Sequence, residues 1–210
     1  MDIIKQVKEQ FFKNIKDHQM SIVSDNNGHR HITFKRPESS VYHFNLTTWP
    51  GYLCISGDAG CYVFCRLHDM FEFFRTGVRD GDIRINPHYW GEKCVAMDKH
   101  QKIEKFSPEG FGKNVIERAC HAMKVNQVHE LPVPLRKNLD LEVLSRAHDG
   151  EGFALEAAMG FEWQGKALLQ DFFEVSCREW DYGYIWCLHA IVWGIKKYDE
   201  AGMGKTAEAV

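Results

Sequence analysis

The feature that most constrains this chain is a run of strand-like segments, within residues 41–76, that leads directly into an aromatic helix. From Val41 to Trp49, apolar residues alternate with polar ones, which is the period-two pattern of a strand with one buried face. The runs at 52–56 and 61–66 are also strand-like, and the segment 57–60 between them is bracketed by glycines and has the length of a hairpin connection. We therefore predict a tight antiparallel hairpin.

The helix that follows carries a clear start signal. Asp69 occupies the N-cap position, and Glu72 follows it at the spacing of a capping box. Gly77 ends the pattern. The wide apolar face of this helix consists of Met70, Phe71, Phe73 and Phe74.

The segments before this run predict an N-terminal docking helix and a first hairpin. Apolar residues recur at helical spacing through residues 3–15. Two strand-like runs, 20–24 and 29–35, flank a turn that contains the Asn27-Gly28 step, which tolerates the positive φ angles of a tight turn. Together with the segment 41–66 they predict an antiparallel meander of about five strands.

Helix signals dominate from residue 67 onward. Pro87 opens a short helix, Ser107-Pro108 opens a stronger one, and the segment 131–134, with two prolines, predicts an extended stop. Further helical patterns cover 138–148, 151–160, 166–178 and 182–199. A block of strands before a block of helices predicts an α+β fold. We expect a single domain, 1–210, with a lobe at 1–76 that combines a helix with an antiparallel sheet and a helical lobe at 77–210.

Composition excludes several classes of partner. A formal net charge of −3, with 44% hydrophobic and 13% aromatic residues, is typical of a soluble globular protein and not of a general nucleic-acid binder. Seven cysteines without a secretion signal favour reduced thiols in a cytoplasm. The most apolar segment, Tyr184 to Ile195, is shorter than the roughly 20 residues that cross a bilayer, so it predicts a buried helix and no membrane partner.

The grouping of Cys61, Cys65 and His68 has to be tested as a zinc site. On one strand the two cysteines would lie about 13 Å apart, whereas two thiolates on one zinc ion are at most roughly 4.6 Å apart. The sequence therefore predicts no metal and no cofactor, and it predicts that these cysteines are structural.

Two histidine-containing tripeptides suggest the main alternative. If residues 31–35 pair with 41–45, Thr33 lies opposite His43, and His31 lies opposite Asn45, on the polar face of the sheet. His-x-Thr on a strand resembles half of the signature of two-histidine phosphoesterases, in which paired histidines act as acid and base on a phosphodiester. The resemblance implies catalytic roles for His31 and His43, with Thr33 and Asn45 orienting a nucleotide. A solvated sheet face remains the alternative.

Aromatic and arginine residues outside the required core are candidate contacts with a partner, because Trp, Tyr and Arg dominate interface hot spots. The arginines Arg75 and Arg79 lie at the end of the aromatic helix and in the loop after it. Core packing is the competing explanation for each aromatic residue. The aromatic candidates are Trp49, Tyr52, Tyr62, Tyr89 and Trp90.

The segments TTWPGYLCISGDAGCYVFCRLHDMFEFFR and NPHYWGEKCVAMD, within residues 41–98, resemble a group of uncharacterised accessory proteins carried by tailed bacteriophages and prophages. The resemblance implies a gene that acts in the host bacterial cytoplasm, where small phage proteins block defence systems such as CRISPR or nucleotide signalling. We therefore expect a non-enzymatic inhibitor that binds a host defence protein. A homo-oligomer, a nucleotide-sequestering protein and a phosphodiesterase-like enzyme stay open as alternatives.

Overall fold

The structure is a computed structural model, and it describes residues 3–202. The chain divides into two compact units. The first, here called the sheet unit, comprises Met1–Ile103 and Trp180–Val210. The second, the helical unit, comprises Glu104–Glu179.

The elements are numbered in chain order. The α-helices are α1 (Ile3–Asn14), α2 (Met70–Arg75), α3 (Pro87–Gly91), α4 (Pro108–Met123), α5 (Val133–Asn138), α6 (Glu151–Gly160) and α7 (Tyr182–Glu200). The strands are β1 (Gln19–Asn26), β2 (His29–Lys35), β3 (Phe44–Trp49), β4 (Tyr52–Gly57), β5 (Gly60–Cys65), β6 (Val78–Arg79), β7 (Asp82–Ile83), β8 (Cys94–Met97), β9 (Glu104–Phe106), β10 (Glu162–Trp163), β11 (Lys166–Ala167) and β12 (Arg178–Trp180). Short 3₁₀ turns cover Val128–Glu130, Leu144–Asp149 and Phe172–Glu174, and a π-helical turn covers Leu139–Val143.

The sheet unit is built on a six-stranded antiparallel sheet in the order β1-β2-β3-β4-β5-β8. The predicted Asn-Gly turn joins the first two strands, with positive φ angles of 46° at Asn27 and 82° at Gly28. Gly57 closes β4, where a Cβ atom would lie 2.2 Å from the carbonyl oxygen of His43. These tight connections fix the register, which determines the residues that share a face.

The inner face of the sheet carries the main core. Alternate residues of β2 to β5 are buried against the helices, as the period-two pattern predicts. α7 crosses this face and is buried on nearly all sides, which agrees with its prediction as a buried helix. It approaches the strands closely at Gly194, where a Cβ atom would lie 2.8 Å from Leu46 Cδ1. No helix within residues 3–202 is both long enough and apolar enough to span a membrane.

The predicted helix caps are confirmed. The Asp69 carboxylate accepts a hydrogen bond from the backbone N–H of Phe71, and the Ser107 hydroxyl accepts one from Gly110.

The helical unit has a core of its own beneath α4, α5 and α6, which includes Phe111, Leu135 and Phe172. The predicted α+β fold, with an N-terminal helix, a meander and a mostly helical second half, is confirmed.

Three local predictions are corrected. Residues 41–43 form a turn before β3, and Tyr42 there adopts a left-handed conformation with a φ angle of 57°. The two prolines at 132 and 134 do not prevent a helix, because α5 takes Pro134 in its first turn, where no intrahelical N–H is needed. The predicted helix at 166–178 is absent, because Asp171 adopts a φ angle of 56° and only a 3₁₀ turn follows it.

The division of the chain also differs from the expected lobe boundary at residue 76. α3 and β8 belong to the sheet unit, and α7 rejoins that unit from the end of the described chain. Helical periodicity identifies α7 correctly, but periodicity does not show which unit a helix completes.

Candidate functional site

The face of the sheet that points away from the helical core is the candidate site. It is called the outer face here. The hydrogen-bonded register of β2 to β5 places its residues in three cross-strand rows. The first row is Thr33, Asn45, Ser56 and Cys61, the second is His31, Thr47, Cys54 and Val63, and the third is Trp49, Tyr52 and Cys65.

The eleven positions in these rows, the centre of the outer face, include no Asp, Glu, Lys or Arg, and the one charged residue that alternation along β2 places on this face is the exposed Lys35 at the end of the strand. A soluble surface is typically about 25–35% charged, so roughly three of these eleven positions would be expected to carry a charge. Every one of the eleven side chains is at least partly exposed. The face is therefore accessible to a partner and is depleted in charge.

The predicted pairs, Thr33 with His43 and His31 with Asn45, do not form, because the polar residues of β2 and β3 pair in a different register. Thr33 Oγ1 donates a hydrogen bond of 2.8 Å to Asn45 Oδ1, and His31 Nδ1 lies 2.9 Å from Thr47 Oγ1. The expected pairing of Thr33 with His43 is wrong, because β2 and β3 are offset by two residues from that alignment. His31 lies opposite Thr47, four residues along the chain from His43, which corresponds to about 13 Å of strand. The sheet therefore does not bring the two histidines together.

His43 instead lies at a corner beside the β4–β5 turn. Its Nδ1 atom is 2.7 Å from the carbonyl oxygen of Ser40 and 3.1 Å from Asp58 Oδ1. Both partners are acceptors, so Nδ1 carries a proton, and in the neutral ring Nε2 is the basic nitrogen. Asp58 also accepts a 2.7 Å hydrogen bond from the backbone N–H of Tyr42. Asp58 therefore orients the imidazole and stabilises the left-handed turn that precedes β3.

Two aromatic side chains mark one end of the outer face. The rings of Trp49 and Tyr52 are stacked at a centroid distance of 5.2 Å, and 37% and 36% of these residues are exposed. They flank the β3–β4 turn at Pro50-Gly51, where the N–H of Gly51 donates to the carbonyl of His68. The turn therefore presents two pre-stacked aromatic rings to solvent on a rigid support.

Two thiols on the same face approach each other. The Sγ atoms of Cys54 and Cys61 are 4.0 Å apart on neighbouring strands. Burial, with a further contribution from the Cys61 thiol, raises the pKa of Cys54 to about 12, so the Cys54 thiol is protonated at neutral pH. Sequence reasoning missed this pair because it compared cysteines along one strand. The hairpin turn at 57–60 fixes the register, so the diagonal pairing could have been found from it.

Several predicted contact residues lie elsewhere. Tyr62 and Trp90 are buried in the core, where the Tyr62 hydroxyl donates to Gln101 and the Trp90 ring packs on Phe74. Both are therefore withdrawn as surface anchors, because a partner cannot reach them in the folded protein. Tyr89 lies on α3 and is exposed.

The two predicted arginines have different surroundings. Arg75 forms a two-point ion pair with Asp199, with distances of 2.9 and 2.8 Å, and the hydrogen bonds that it donates to Asp199 raise the pKa of the guanidinium. This pair joins α2 to α7, so Arg75 has a structural partner within the chain. Arg79 lies exposed on the β6–β7 hairpin.

A second arginine network was not expected from the sequence. Arg30 donates to both carboxylate oxygens of Asp69 and lies 4.6 Å over the ring of Phe71. Burial opposes ionisation of Asp69, but the hydrogen bonds from Arg30 and from the backbone N–H of Phe71, together with the positive charges of the nearby arginines, outweigh it and lower the pKa of that carboxyl group. Tyr198 extends the network by donating to Asp25. These contacts join the first hairpin to α2 and α7.

Known proteins provide no further assignment. No protein-family model, no curated protein and no solved structure matches this chain. Across residues 3–202, no group of three or more His, Cys, Asp or Glu side chains is arranged to hold a metal ion. The outer face is therefore the candidate site on the basis of its exposure, its composition and its aromatic pair.

Proposed function

We propose that this protein is a phage-encoded inhibitor that binds a bacterial defence protein through the outer face, in the host cytoplasm. The observation that carries the proposal is the charge-free centre of the outer face, with two stacked, exposed aromatic rings at its end. The centres of protein interfaces are depleted in charged residues and enriched in Trp and Tyr, which dominate binding hot spots. The resemblance of residues 41–98 to phage accessory proteins supports the choice of a defence protein as partner.

Trp49 and Tyr52 are suited to act as anchors. Their rings already contact each other in the unbound protein, so little side-chain freedom remains to be lost on binding. The neighbouring rows supply hydroxyl, amide and imidazole groups whose local hydrogen bonds fix their orientation. A partner can therefore bury the aromatic pair without leaving a charge from this face desolvated.

The size of the outer face limits the affinity that it provides alone. Four strands at a spacing near 4.8 Å and three rows along them cover roughly 20 by 20 Å, or about 400 Å². A standard interface buries about 800 Å² on each partner. The outer face is therefore the centre of the proposed interface, and the partner also contacts residues around it.

The proposal is tested by capture of the partner from host cells. The tagged protein is expected to recover one dominant protein, which is then purified for a direct binding measurement. The double substitution Trp49→Ala and Tyr52→Ala should weaken that binding by at least about 30-fold, equivalent to loss of roughly 2 kcal/mol. Phe173→Ala is the matched control, since Phe173 is an exposed aromatic residue of the helical unit. Equal binding by all three proteins would refute the proposal.

A second candidate function rests on the contact between His43 and Asp58. A carboxylate that orients an imidazole and leaves Nε2 basic is an arrangement used in general acid–base catalysis. In this alternative, His43 acts on a phosphodiester or cyclic nucleotide without His31 as its partner. His43→Ala should then abolish turnover, whereas His31→Ala should not. A sequestering protein would instead release the nucleotide unchanged when it is denatured. Turnover that survives His43→Ala would eliminate His43 as the catalytic residue, and absence of turnover in the wild type would eliminate the enzymatic alternative.

A further inference from the structure

The diagonal cysteine pair on the outer face has a geometry that neither partner binding nor folding requires. Ser56 lies opposite Cys61, and Cys54 lies opposite Val63, so the two cysteines occupy diagonal positions on neighbouring strands. Both residues are partly exposed, and their Sγ atoms are 4.0 Å apart.

This separation fits two sulfur atoms bound to one ion. With metal–sulfur bonds near 2.3 Å, two thiolates on one ion lie at most roughly 4.6 Å apart, and a separation of 4.0 Å gives a sulfur–metal–sulfur angle of about 120°. A disulfide bond would instead need the sulfur atoms to close to about 2.05 Å. An ion can therefore bridge the thiols in their present positions, whereas a disulfide requires the sulfur atoms to move by about 2 Å.

We propose that Cys54 and Cys61 bind a single Cu(I) ion on the outer face. Thiolates are soft ligands that select Cu(I) over harder cations. An angle near 120° is that of a trigonal centre, with the third position open to an exchangeable ligand such as a small thiol. Structural zinc sites, in contrast, require four ligands, and residues 3–202 contain no cluster of three metal-binding side chains.

The binding step exchanges protons for the metal. Each thiol loses one proton, two sulfur–copper bonds form, and no electron is transferred, so copper remains Cu(I). The side chains around the pair, in the three rows at the centre of the outer face, include no Asp, Glu, Lys or Arg. Bound copper therefore adds charge to a region that has none in the metal-free protein.

Anaerobic titration of the full-length protein with Cu(I), in competition with a chromogenic Cu(I) chelator, tests the proposal. The wild type should bind one equivalent tightly. Cys54→Ser and Cys61→Ser should each weaken binding by more than the roughly 10- to 100-fold that loss of an outer-sphere contact costs. Cys65→Ser, on the same face, and Cys94→Ser, on the neighbouring strand β8, are matched controls that should retain it. Equal Cu(I) affinity in all four variants would overturn the proposal.

Alkylation of the wild-type protein gives a second test that does not depend on how the variants fold. One equivalent of Cu(I) should protect Cys54 and Cys61 from iodoacetamide, whereas Cys65 should still react at its metal-free rate. Peptide mass spectrometry measures the modification at each site. Uniform protection of the cysteines, or protection of none, would refute a specific two-thiol site.

Discussion

The two faces of the six-stranded sheet are made of alternate residues of the same strands, yet their surroundings differ sharply. On β3, Phe44 and Leu46 are fully buried beneath α7, whereas their neighbours Asn45 and Thr47 are partly exposed on the outer face. The inner face is fixed by close packing, while the centre of the outer face is neither buried nor charged. The side chains at the centre of the outer face do not pack against another layer of the protein, yet they also lack the charges of an ordinary surface. This combination is the basis for proposing that a partner binds there.

Truncation on the inner face should have the largest effect. Phe44 stacks on Phe34 at a centroid distance of 4.7 Å and also packs on Trp186, so Phe44→Ala removes a large buried ring. We expect the free energy of unfolding to fall by about 3–5 kcal/mol. Chemical denaturation followed by tryptophan fluorescence measures this change.

The control for that prediction lies on the same strand. Thr47→Ala removes an outer-face hydroxyl that contacts His31 and should cost only about 1 kcal/mol. If the two substitutions destabilised the protein equally, the contrast between the faces would be lost.

Protonation of a histidine in the inner layer should also lower the free energy of unfolding. His189 on α7 is buried, stacks on Phe11 and has a pKa lowered by burial to about 4. The folded state therefore binds this proton more weakly than the unfolded state, whose pKa is near 6.5. Stability should be full above about pH 6.5, fall by about 3 kcal/mol as the pH decreases to about 4, and show no further loss from this group below that.

Denaturation curves between pH 7 and pH 4 measure this dependence. His189→Leu should remove the contribution of this histidine to the dependence of the free energy of unfolding on pH. The contributions of the other titrating groups should be the same in both proteins. An identical pH dependence in both proteins would show that His189 does not titrate as described.

The close contact between α7 and the sheet at Gly194 gives a smaller effect. A Cβ atom at Gly194 would lie 2.8 Å from Leu46 Cδ1 and 3.1 Å from the ring of Phe34. Gly194→Ala should therefore overpack the inner face and destabilise the protein by about 1–3 kcal/mol, measured by denaturation.

Gly152→Ala is the matched helical control, because nothing lies within 4 Å of a Cβ atom at that position in α6. It should be neutral or stabilise by up to about 1 kcal/mol. A neutral Gly194→Ala would mean that the inner face is less tightly packed than its geometry indicates.

Much of the fold could be predicted because local signals and burial agree. Alternation along β2 to β5 identified the buried face, and the Asn27-Gly28 step identified the first turn. The start of β3 could not be predicted, because the alternating pattern continues through Tyr42 while a contact with Asp58 holds that residue in a turn. The spacing of the apolar residues at 166–178 matched a helix. In the structure, the buried residues of this segment pack into the core although the segment is not α-helical.

Less of the candidate site could be predicted. The polar character of the outer face follows from the alternation. The offset between β2 and β3, in contrast, depends on the length of the turn before β3. The predicted register was wrong by two residues, and in the observed register His31 and His43 are far apart. The alternation along β3 that identifies the outer face also predicts an exposed Trp49, whereas no comparable pattern in the short helix α3 identifies Trp90 as buried. Tertiary packing decides the burial of Trp90.

The most direct test places a charge at the centre of the outer face. Thr47→Arg should leave the free energy of unfolding within about 1 kcal/mol of the wild type, because the side chain is partly exposed. Its affinity for the captured partner, measured by calorimetry, should fall by at least about 30-fold, since binding would bury an unpaired charge. A folded Thr47→Arg protein that binds the partner with wild-type affinity would contradict the assignment of the outer face as the binding surface.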